Sequence, residues 1–288
     1  MKILLTGAGG QLATDLHRLL RPQHEVVALT HAQLDIGEPS AAARVLDEAQ
    51  PQMVINTAAY HRVDDCETEV ERSFRINATA VLQLARWCAA HEAVFVHFST
   101  DYVFSGREPA PRCEGDVAEP VSVYGASKLA GEHLARQACA RHFVIRTCGL
   151  YGDAGSPSKG GNFVDKMLSL AAAGKPIQVV ADQVLAPSYT ADVAAKVVQL
   201  LGTNAYGLYH VTNAGSCSWY EFTRTIFTLS GVAADLSPTT AARFAARAQR
   251  PAYSVLGHDG LARLGVDDLP SWEDALRRYL DGRTAARR

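Results

Sequence analysis

The chain has 288 residues, 48% of them apolar and 20% charged, with a formal net charge of −2. This size and balance fit a folded α/β protein of one large domain or one and a half, and they exclude the basic character of a nucleic-acid-binding protein. Six scattered cysteines without a Cys-x-x-Cys pair, and ten histidines without metal-ligand spacing, predict reduced thiols, no metal site and a cytoplasmic location. No apolar run has the length of a signal peptide or a membrane span, so no membrane partner is expected.

Apolar runs alternate with helix-forming segments in the first half of the chain. Strands are predicted at residues 2–6, 25–29, 52–56, 93–98 and 142–147. Helices are predicted up to about residue 20, at 39–49, at 68–90, and from the N-cap Ser122 to about residue 141. The alternation predicts a parallel sheet with helices on both faces.

A glycine turn joins the first predicted strand to the first helix, at Gly7 and Gly10, with Ala13 as the next small residue. Glycine there lets the backbone approach a pyrophosphate, and the helix N-terminus offers free N–H groups with a partial positive charge. A tight turn that binds nothing is the alternative. We predict a Rossmann-type, doubly wound sheet that binds a dinucleotide, over residues 1–150.

The second predicted strand ends without the carboxylate that would bind the ribose 2′-hydroxyl of NAD. Thr30 and His31 stand there instead, so no negative charge repels a 2′-phosphate. We therefore expect NADPH as the cofactor, with NADH as the alternative. His31 and Arg62 are the candidate partners of the phosphate.

Tyr124 and Lys128 lie four residues apart in a predicted helix, so their side chains project from one face. A free phenol is a poor acid at neutral pH, and a neighbouring cation lowers its pKa toward the working range. Ser99 and Thr100 follow the fourth strand, at the edge where open α/β sheets bind ligands. The alternatives are a surface contact for the pair and backbone capping for the hydroxyls.

After residue 151 the pattern changes, and a smaller, mixed substrate-binding lobe is predicted for residues 151–288. Residues 153–161 are rich in Gly and Ser and are expected to be mobile, and Arg283, Arg287 and Arg288 are expected to lie in a frayed, solvated tail. The helices predicted here are 162–173, 190–201, 218–229 and 271–280, and the strands are 177–180 and 206–211. Some of these elements are expected to return to the sheet.

The sequence resembles the extended short-chain dehydrogenases/reductases, and within them the dTDP-4-dehydrorhamnose reductase family. Its Tyr-x-x-x-Lys and Ser-Thr-Asp-Tyr-Val-Phe segments carry the likeness most specifically, and the matching motifs run nearly from end to end. They are Gly7-x-x-Gly10-Gln11-Leu12, Asn56-Thr57-Ala58-Ala59-Tyr60 with Val63-Asp64, Ser99-Thr100-Asp101-Tyr102-Val103-Phe104, Tyr124-Gly125-x-x-Lys128-Leu129-x-Gly131-Glu132, Arg146-Thr147, Asn162-Phe163, Asp182-Gln183 with Ala186-Pro187, Gly207-x-Tyr209-His210, Ser218-Trp219-x-x-Phe222 and Arg250-Pro251-x-x-Ser254-x-Leu256.

The resemblance implies NAD(P)H-dependent reduction of the 4-keto group of a nucleotide-activated 6-deoxysugar, specifically dTDP-4-dehydro-L-rhamnose to dTDP-L-rhamnose. It implies that Tyr124 protonates the keto oxygen, that Lys128 lowers the pKa of Tyr124 and holds the nicotinamide ribose, and that Thr100 polarises the carbonyl. The cofactor contacts it implies are Gly7, Gly10, Gln11, Leu12, Asp35, Ile36, Ala58, Ala59, Tyr60, Tyr124 and Lys128. The substrate contacts it implies are Thr100, Asp101, Asn162 and Arg250, of which Arg250 suits a diphosphate.

The chain departs from the family at Gly149, at Thr57, where Ala is common, and at Ala13, which replaces Gly, and it leaves two other functions open. Family members often carry a sugar-packing tryptophan after the Arg-Thr pair, where this chain has Gly149, which implies a wider sugar pocket. A dehydratase with tightly held NAD⁺ would need a carboxylate after Asp101, where Tyr102 stands, whereas an epimerase stays open. A non-catalytic dinucleotide-binding subunit, like the regulatory subunit of methionine adenosyltransferase, is the third possibility. The expected assembly is a monomer or a homodimer.

Overall fold

A six-stranded sheet lies at the centre of the chain, in the computed structural model that describes residues 1–155 and 160–286. Its strand order is β10-β5-β4-β3-β1-β2, and every neighbouring pair is parallel. The strands are β1 Lys2–Thr6, β2 Glu25–Leu29, β3 Met53–Asn56, β4 Val94–Thr100, β5 His142–Thr147, β6 Leu150–Tyr151, β7 Ile177–Val180, β8 Val184–Leu185, β9 Ser188–Tyr189, β10 Gly207–His210, β11 Cys217–Ser218 and β12 Leu236–Thr239.

Helices cover both faces of this sheet. They are α1 Gln11–Leu20, α2 Pro39–Ala49, α3 Val63–Cys66, α4 Val70–Phe74, α5 Ala80–Ala90, α6 Val123–Ala138, α7 Phe163–Ala172, α8 Thr190–Leu201, α9 Trp219–Ser230, α10 Ala241–Phe244, α11 Asp259–Arg263 and α12 Trp272–Ala286. One core packs α1 and α8 on the sheet, and the other packs α2, α5 and α6 on the opposite face. Burial on both faces explains why the strands read as continuous apolar runs. The predicted Rossmann-type, doubly wound α/β fold is confirmed.

The sheet reverses its order between β1 and β3, which are neighbours while their connecting strand β2 lies on the outer side of β1. Open α/β sheets bind ligands outside the carboxyl ends of the strands at such a point. The turn after Thr6 and the loop after Asn56 therefore meet at the expected binding edge.

The helix predicted over residues 68–90 is wrong in one respect. It is divided into α4 and α5 by a π-helical turn at Arg75–Thr79. The sequence signals of a helix, which are residue propensity and apolar spacing, do not distinguish a π turn from the α-helix around it, and π turns occur mostly as single turns inside α-helices. The contacts of Asn77, on this turn, are described below.

The second half of the chain forms a separate aromatic-rich core and also returns to the sheet. Tyr151, Phe222, Trp272 and Tyr279 belong to that core, together with apolar residues of α7, α9 and α12. In contrast, α8 and β10 pack in the core of the main sheet. The lobe boundary at residue 150 stays a prediction.

Two expectations for this half fall partly outside the described residues. The segment expected to be mobile includes residues 156–159, and the frayed tail includes residues 287 and 288, all of which lie outside them. The last helix, α12, is longer than predicted and runs to Ala286. The expectation of a frayed tail is therefore wrong for Arg283, which lies in α12 and donates to Tyr279 Oη at 2.8 Å. Within the described ranges, no helix combines the length and apolar character needed to cross a bilayer.

Candidate active site

The glycine turn is pressed against the loop that follows β3. Gly7 has a φ of +75°, and a Cβ added to it would lie 2.6 Å from Thr57 Oγ1 and 2.8 Å from the Ala58 nitrogen. Both the conformation and the space therefore demand glycine. Gly10 precedes α1 and donates its N–H to the Gly7 carbonyl at 3.1 Å. A Cβ added at Gly9 would meet no described atom within 4 Å, so the turn has an open side at the helix N-terminus.

This turn fits a pyrophosphate. Helix α1 has 10 residues and receives no side-chain cap from Gly10, so its first N–H groups stay available. Gln11 Nε2 donates to the Leu150 carbonyl at 3.0 Å, whereas its buried Oε1 has no hydrogen-bond partner among the described residues. The Leu12 side chain belongs to the core, which leaves its backbone as the part that can face a cofactor.

Asn77, on the π turn, ties the loop after β3 to helix α6. Its Oδ1 accepts from the Tyr60 nitrogen at 2.9 Å, and its Nδ2 donates to the Tyr60 carbonyl at 2.9 Å and to Ser127 Oγ at 3.0 Å. A Cβ added to Gly131 would lie 2.1 Å from the Asn77 carbonyl oxygen, so α6 can pack closely against the π turn only because residue 131 is glycine. The sequence places Asn77 on the predicted helix over residues 68–90 and assigns it no role. Its position on a π turn fits a functional site, where such turns occur frequently.

The remaining residues implied to contact the cofactor have structural contacts of their own. Asp35 Oδ1 accepts from the Gly37 nitrogen at 2.8 Å, and the Ile36 side chain is buried in the core beneath α2 and α5. Ala58 donates its N–H to Asn56 Oδ1 at 3.2 Å. For Asp35, Ile36, Ala58, Ala59 and Tyr60, contact with a cofactor stays a prediction.

Lys128 is buried beneath the end of β4, with 2% of its surface exposed. Its Nζ donates to the Phe98 carbonyl at 2.6 Å and lies 3.3 Å from His97 Nε2. Burial lowers the pKa of Lys128 to about 8, and the charge of Glu132 opposes this change. A buried lysine with a lowered pKa is a common feature of functional sites.

Tyr124, one helical turn before Lys128, contacts the polar residues at the end of β4. Its phenol lies next to the hydroxyl of Thr100, which itself donates to Asp101, and its ring packs edge-on against Tyr102 at a centroid distance of 5.9 Å. Burial raises the pKa of Tyr124, the neighbouring hydroxyl of Thr100 lowers it, and the charge of Asp101 raises it. The expected lowering by Lys128 is therefore not found. The amine is directed at Phe98 and His97 instead, and the phenol stays protonated at neutral pH.

Asp101 lies behind Thr100 in a buried polar cluster. Its Oδ1 accepts from Thr100 Oγ1 at 2.9 Å, and its Oδ2 accepts from Cys148 Sγ at 3.0 Å. Burial raises the pKa of Asp101, while hydrogen bonds from Cys148, Ser254 and Thr100 lower it. Cys148 and Ser254 were not identified from the sequence, because neither has a local motif that reports this contact. The cluster fixes the orientation of the Thr100 hydroxyl.

Arg250 reaches the site from the second half of the chain. Its guanidinium pairs with the Asp64 carboxylate at 2.8 Å and 3.2 Å and lies near Tyr102, the ring that packs on Tyr124. It lowers the pKa of Asp64. Contact between Arg250 and a substrate stays a prediction.

Asn162 has the contacts of a helix cap. Its Oδ1 accepts from the Asp165 nitrogen at 3.0 Å, and its Nδ2 donates to the Gly152 carbonyl and to Tyr279 Oη. The described structure thus gives both ends of its amide a partner inside the second lobe. One edge of the sheet brings together Thr100, Asp101, Tyr124 and Lys128. Asn162 instead caps the N-terminus of α7, and contact between Asn162 and a substrate stays a prediction.

No group of three or more His, Cys, Asp or Glu side chains within the described ranges has the arrangement of a metal site.

The family model described as "RmlD substrate binding domain" matches residues 1–284. The chain belongs to this family of extended short-chain dehydrogenases/reductases. The expected family is confirmed, and the protein is an NAD(P)H-dependent oxidoreductase.

Three relatives illustrate the match. The chain is 39% identical to the spore coat polysaccharide biosynthesis protein SpsK of Bacillus subtilis, and the match covers 99% of each chain. It is 40% identical to a probable dTDP-4,6-dihydroxy-2-methyloxan-3-one 4-ketoreductase of Streptomyces antibioticus, over 96% of this chain and 94% of the relative. The dTDP-4-dehydrorhamnose reductase of Bacillus anthracis, solved in complex with NADP, superimposes with a TM-score of 0.93 at 37% identity, over 98% of this chain and 99% of the other.

Proposed function

We propose that the protein reduces the 4-keto group of a dTDP-activated 6-deoxysugar with NADPH, converting dTDP-4-dehydro-L-rhamnose to dTDP-L-rhamnose. One observation carries this proposal. The Thr100 hydroxyl, the Tyr124 phenol and the Lys128 amine lie together beside the point where the sheet reverses its order. The names of the Bacillus anthracis and Streptomyces antibioticus relatives support a 4-ketoreductase.

NADPH is proposed as the cofactor. Gly7, Gly10 and the N-terminus of α1 would hold its pyrophosphate, and Lys128 its nicotinamide ribose. The absence of an acid at Thr30 and His31 and the NADP complex of the Bacillus anthracis relative support NADPH over NADH. When bound, the reduced nicotinamide supplies the hydride that attacks the ketone carbon.

The residues at the end of β4 and on α6 would stabilise the charge that develops on the ketone oxygen. Tyr124 would donate its phenolic proton to that oxygen, and its raised pKa keeps the proton in place until the charge appears. The Thr100 hydroxyl donates to Asp101 Oδ1 in this structure, and on substrate binding it would turn to the ketone oxygen and become the second donor. A donor that is already aimed at the developing charge, as we propose for Tyr124, needs no reorganisation during the reaction.

The identity of the sugar is part of the same proposal. Gly149 has a φ of +53°, and a Cβ there would lie 2.8 Å from Leu185 Cδ1, so a larger side chain would strain the backbone and displace Leu185. Because the chain lacks the tryptophan that family members often carry at this position, a different dTDP-4-keto-6-deoxysugar is the second candidate substrate. We also propose a cytoplasmic location and a monomeric or homodimeric state.

The proposal is tested by mixing purified protein with NADPH and dTDP-4-dehydro-L-rhamnose, which is also called dTDP-4-keto-6-deoxy-L-mannose. The absorbance of the reduced nicotinamide is then followed. We expect its consumption in proportion to the sugar, and slower consumption with NADH. UDP- and GDP-linked 4-keto sugars serve as nucleotide controls. No consumption with either cofactor and any of these sugars would overturn the proposal.

A further inference from the structure

One carboxylate holds the segment that carries Arg250. Asp64 Oδ1 accepts from the Ala248 nitrogen at 2.9 Å and from Arg250 Nη1 at 3.2 Å, and Asp64 Oδ2 accepts from Arg250 Nη2 at 2.8 Å. Arg250 Nη1 also donates to the Ala248 carbonyl at 3.0 Å. The three residues therefore form a closed ring of contacts, in which Asp64 fixes both the backbone and the side chain of this segment.

These contacts use one end of the Arg250 guanidinium. A guanidinium is a planar fork with five N–H donors. Asp64 takes one donor from each terminal nitrogen, and the Ala248 carbonyl takes the second donor of Nη1. The other two donors, on Nε and Nη2, lie side by side on a different edge of the fork, which none of these contacts uses. Such a pair of donors has the geometry that binds two oxygens of a phosphate.

Arg250 lies about one aromatic ring away from the proposed proton donor. Its guanidinium lies near Tyr102, whose ring packs edge-on against Tyr124. In a nucleotide-activated 4-keto sugar, the diphosphate is on C1 and the keto group on C4, at opposite ends of one six-membered ring. The placement of Arg250 and Tyr124 matches the two ends of such a molecule. The Arg250 side chain is 21% exposed, so an anion can reach it.

The short helix that carries Asp64 also holds the helix that carries Tyr124. Glu67 directly follows α3, and its Oε1 accepts from the nitrogen of Val123, the first residue of α6, at 2.8 Å. Asp64 lies on α3 itself. The segment thus links the position of Arg250 to that of Tyr124, although neither of these residues belongs to it.

The backbone that follows Arg250 is fixed as well. A Cβ added to Gly106 would lie 2.4 Å from Pro251 Cβ, so the two chains pack without space between them. The nitrogen of Ser254 donates to the Val184 carbonyl at 2.9 Å. The backbone therefore cannot follow a guanidinium that leaves Asp64, which favours a fixed Arg250 over one that swings between two partners.

We propose that Asp64 is a positioning residue that acts through Arg250. It holds one end of the guanidinium and so directs the edge formed by Nε and Nη2 to the diphosphate of the nucleotide sugar, a ligand whose identity rests on the proposed function. Asp64 is itself a negative charge close to the proposed anion site. Without Arg250 it would only repel the diphosphate, so the sign of its effect depends on whether Arg250 is present.

Calorimetric titration of the full chain with dTDP and with thymidine tests the inference without turnover. Saturating NADP⁺ keeps dTDP away from the glycine turn. Asp64→Asn keeps the size of the side chain, loses its charge and places an NH₂ donor against the guanidinium or against Ala248. We expect it to weaken dTDP binding about tenfold and to leave thymidine binding unchanged. The KM of the 4-keto sugar should rise by the same factor with kcat unchanged, since only uniform binding is lost.

Two comparisons separate positioning from a general loss of structure. In the Arg250→Ala background, Asp64→Asn should leave dTDP affinity unchanged or increase it, because only repulsion is then removed. Asp274→Asn is the matched control. It removes a carboxylate of similar exposure, 47% against 44% for Asp64, from an ion pair with Arg278 on α12, and it should change neither dTDP affinity nor the KM.

The wild-type protein decides the inference even if Asp64→Asn does not fold. In the spectrum of protein labelled with ¹⁵N-arginine, the Nε–H signal of Arg250 is assigned by its loss in Arg250→Lys. This signal should shift on addition of dTDP and stay in place with thymidine. Absence of a shift at saturating dTDP would overturn the inference.

The variants give further outcomes that decide it. Tighter dTDP binding by Asp64→Asn with Arg250 present would show that the carboxylate competes with the ligand, and equal weakening with and without Arg250 would show that it does not act through the arginine. Either result would overturn the inference. Failure of the ketoreductase assay with the expected dTDP titrations would reject the proposed function and leave the inference standing. Turnover of the sugar with unaltered dTDP affinity in Asp64→Asn would reject only the inference.

Discussion

Replacement of Tyr124 by phenylalanine removes one oxygen atom from the proposed proton donor. The hydroxyl contacts Thr100, and the ring packs edge-on against Tyr102, a contact that phenylalanine retains. The loss of one hydrogen bond should cost about 0.5–1.5 kcal/mol of folding free energy. Loss of a proton donor at the developing charge should instead reduce kcat by roughly 10²–10⁴-fold. At 1.36 kcal/mol for each tenfold change, this is about 2.7–5.4 kcal/mol of transition-state stabilisation.

The comparison of these two costs makes the test specific. Initial rates with saturating NADPH and the 4-keto sugar give kcat, and quenching of protein fluorescence gives the affinity for NADPH. That affinity should stay nearly unchanged, because the glycine turn at Gly7 and Gly10 is not altered. Tyr206→Phe is the matched control, since its hydroxyl contacts Arg141 on the protein surface, and it should keep wild-type activity. If Tyr124→Phe retained more than about a hundredth of wild-type turnover, the assignment of Tyr124 as the proton donor would be wrong.

Three further changes have expected outcomes. Lys128→Met should reduce both kcat and the affinity for NADPH, in the same rate and fluorescence assays, because one amine serves the ribose and the site around Tyr124. Gly7→Ala should destabilise the fold by about 1–3 kcal/mol in urea unfolding and weaken NADPH binding, since the new Cβ would lie 2.6 Å from Thr57 Oγ1 at a φ of +75°. The ion pair of Asp64 with Arg250 lowers the pKa of Asp64. Its contribution to stability is therefore present above the ordinary aspartate pKa of about 3.9 and is lost as the pH falls below it, a dependence that thermal unfolding of Asp64→Asn should lack.

Each of these outcomes can fail independently. Unchanged NADPH affinity in Lys128→Met would separate the lysine from the cofactor. Wild-type stability and affinity in Gly7→Ala would mean that the turn relaxes without harm. Identical acid dependence of Asp64→Asn and the wild type would show that the ion pair with Arg250 adds nothing to the folded state.

Much of the fold was predictable because its signals are local. The strands of the main sheet are apolar runs that end at small or polar residues, and the turn at Gly7 needs a conformation that glycine adopts easily. The π turn at Asn77 was not predictable, because it lies inside one continuous helical segment and the contacts of Asn77 are with Tyr60 and Ser127, from other parts of the chain. The return of β10 to the sheet was expected only in general terms, since its position beside β5 depends on long-range pairing.

The site was predictable where a short motif carries the chemistry, as for Tyr124 and Lys128. Asn162 shows the opposite case. Its sequence context, with Asp165 three residues later, is also that of a capping box, which is the arrangement in the structure. His97 gave no signal, because a single histidine within an apolar strand has no spacing to interpret. Its place in the site is defined by its contacts with Asn56 and Lys128, which come from other parts of the chain.

Transfer of deuterium from NADPH labelled at the reactive position tests the central claim most directly. The account predicts that the dTDP-sugar product carries one deuterium at C4, that one NADPH is oxidised for each sugar reduced, and that Tyr124→Phe forms almost none of this product. A product without deuterium at C4, or a sugar changed in configuration without net oxidation of NADPH, would contradict the assignment as a 4-ketoreductase.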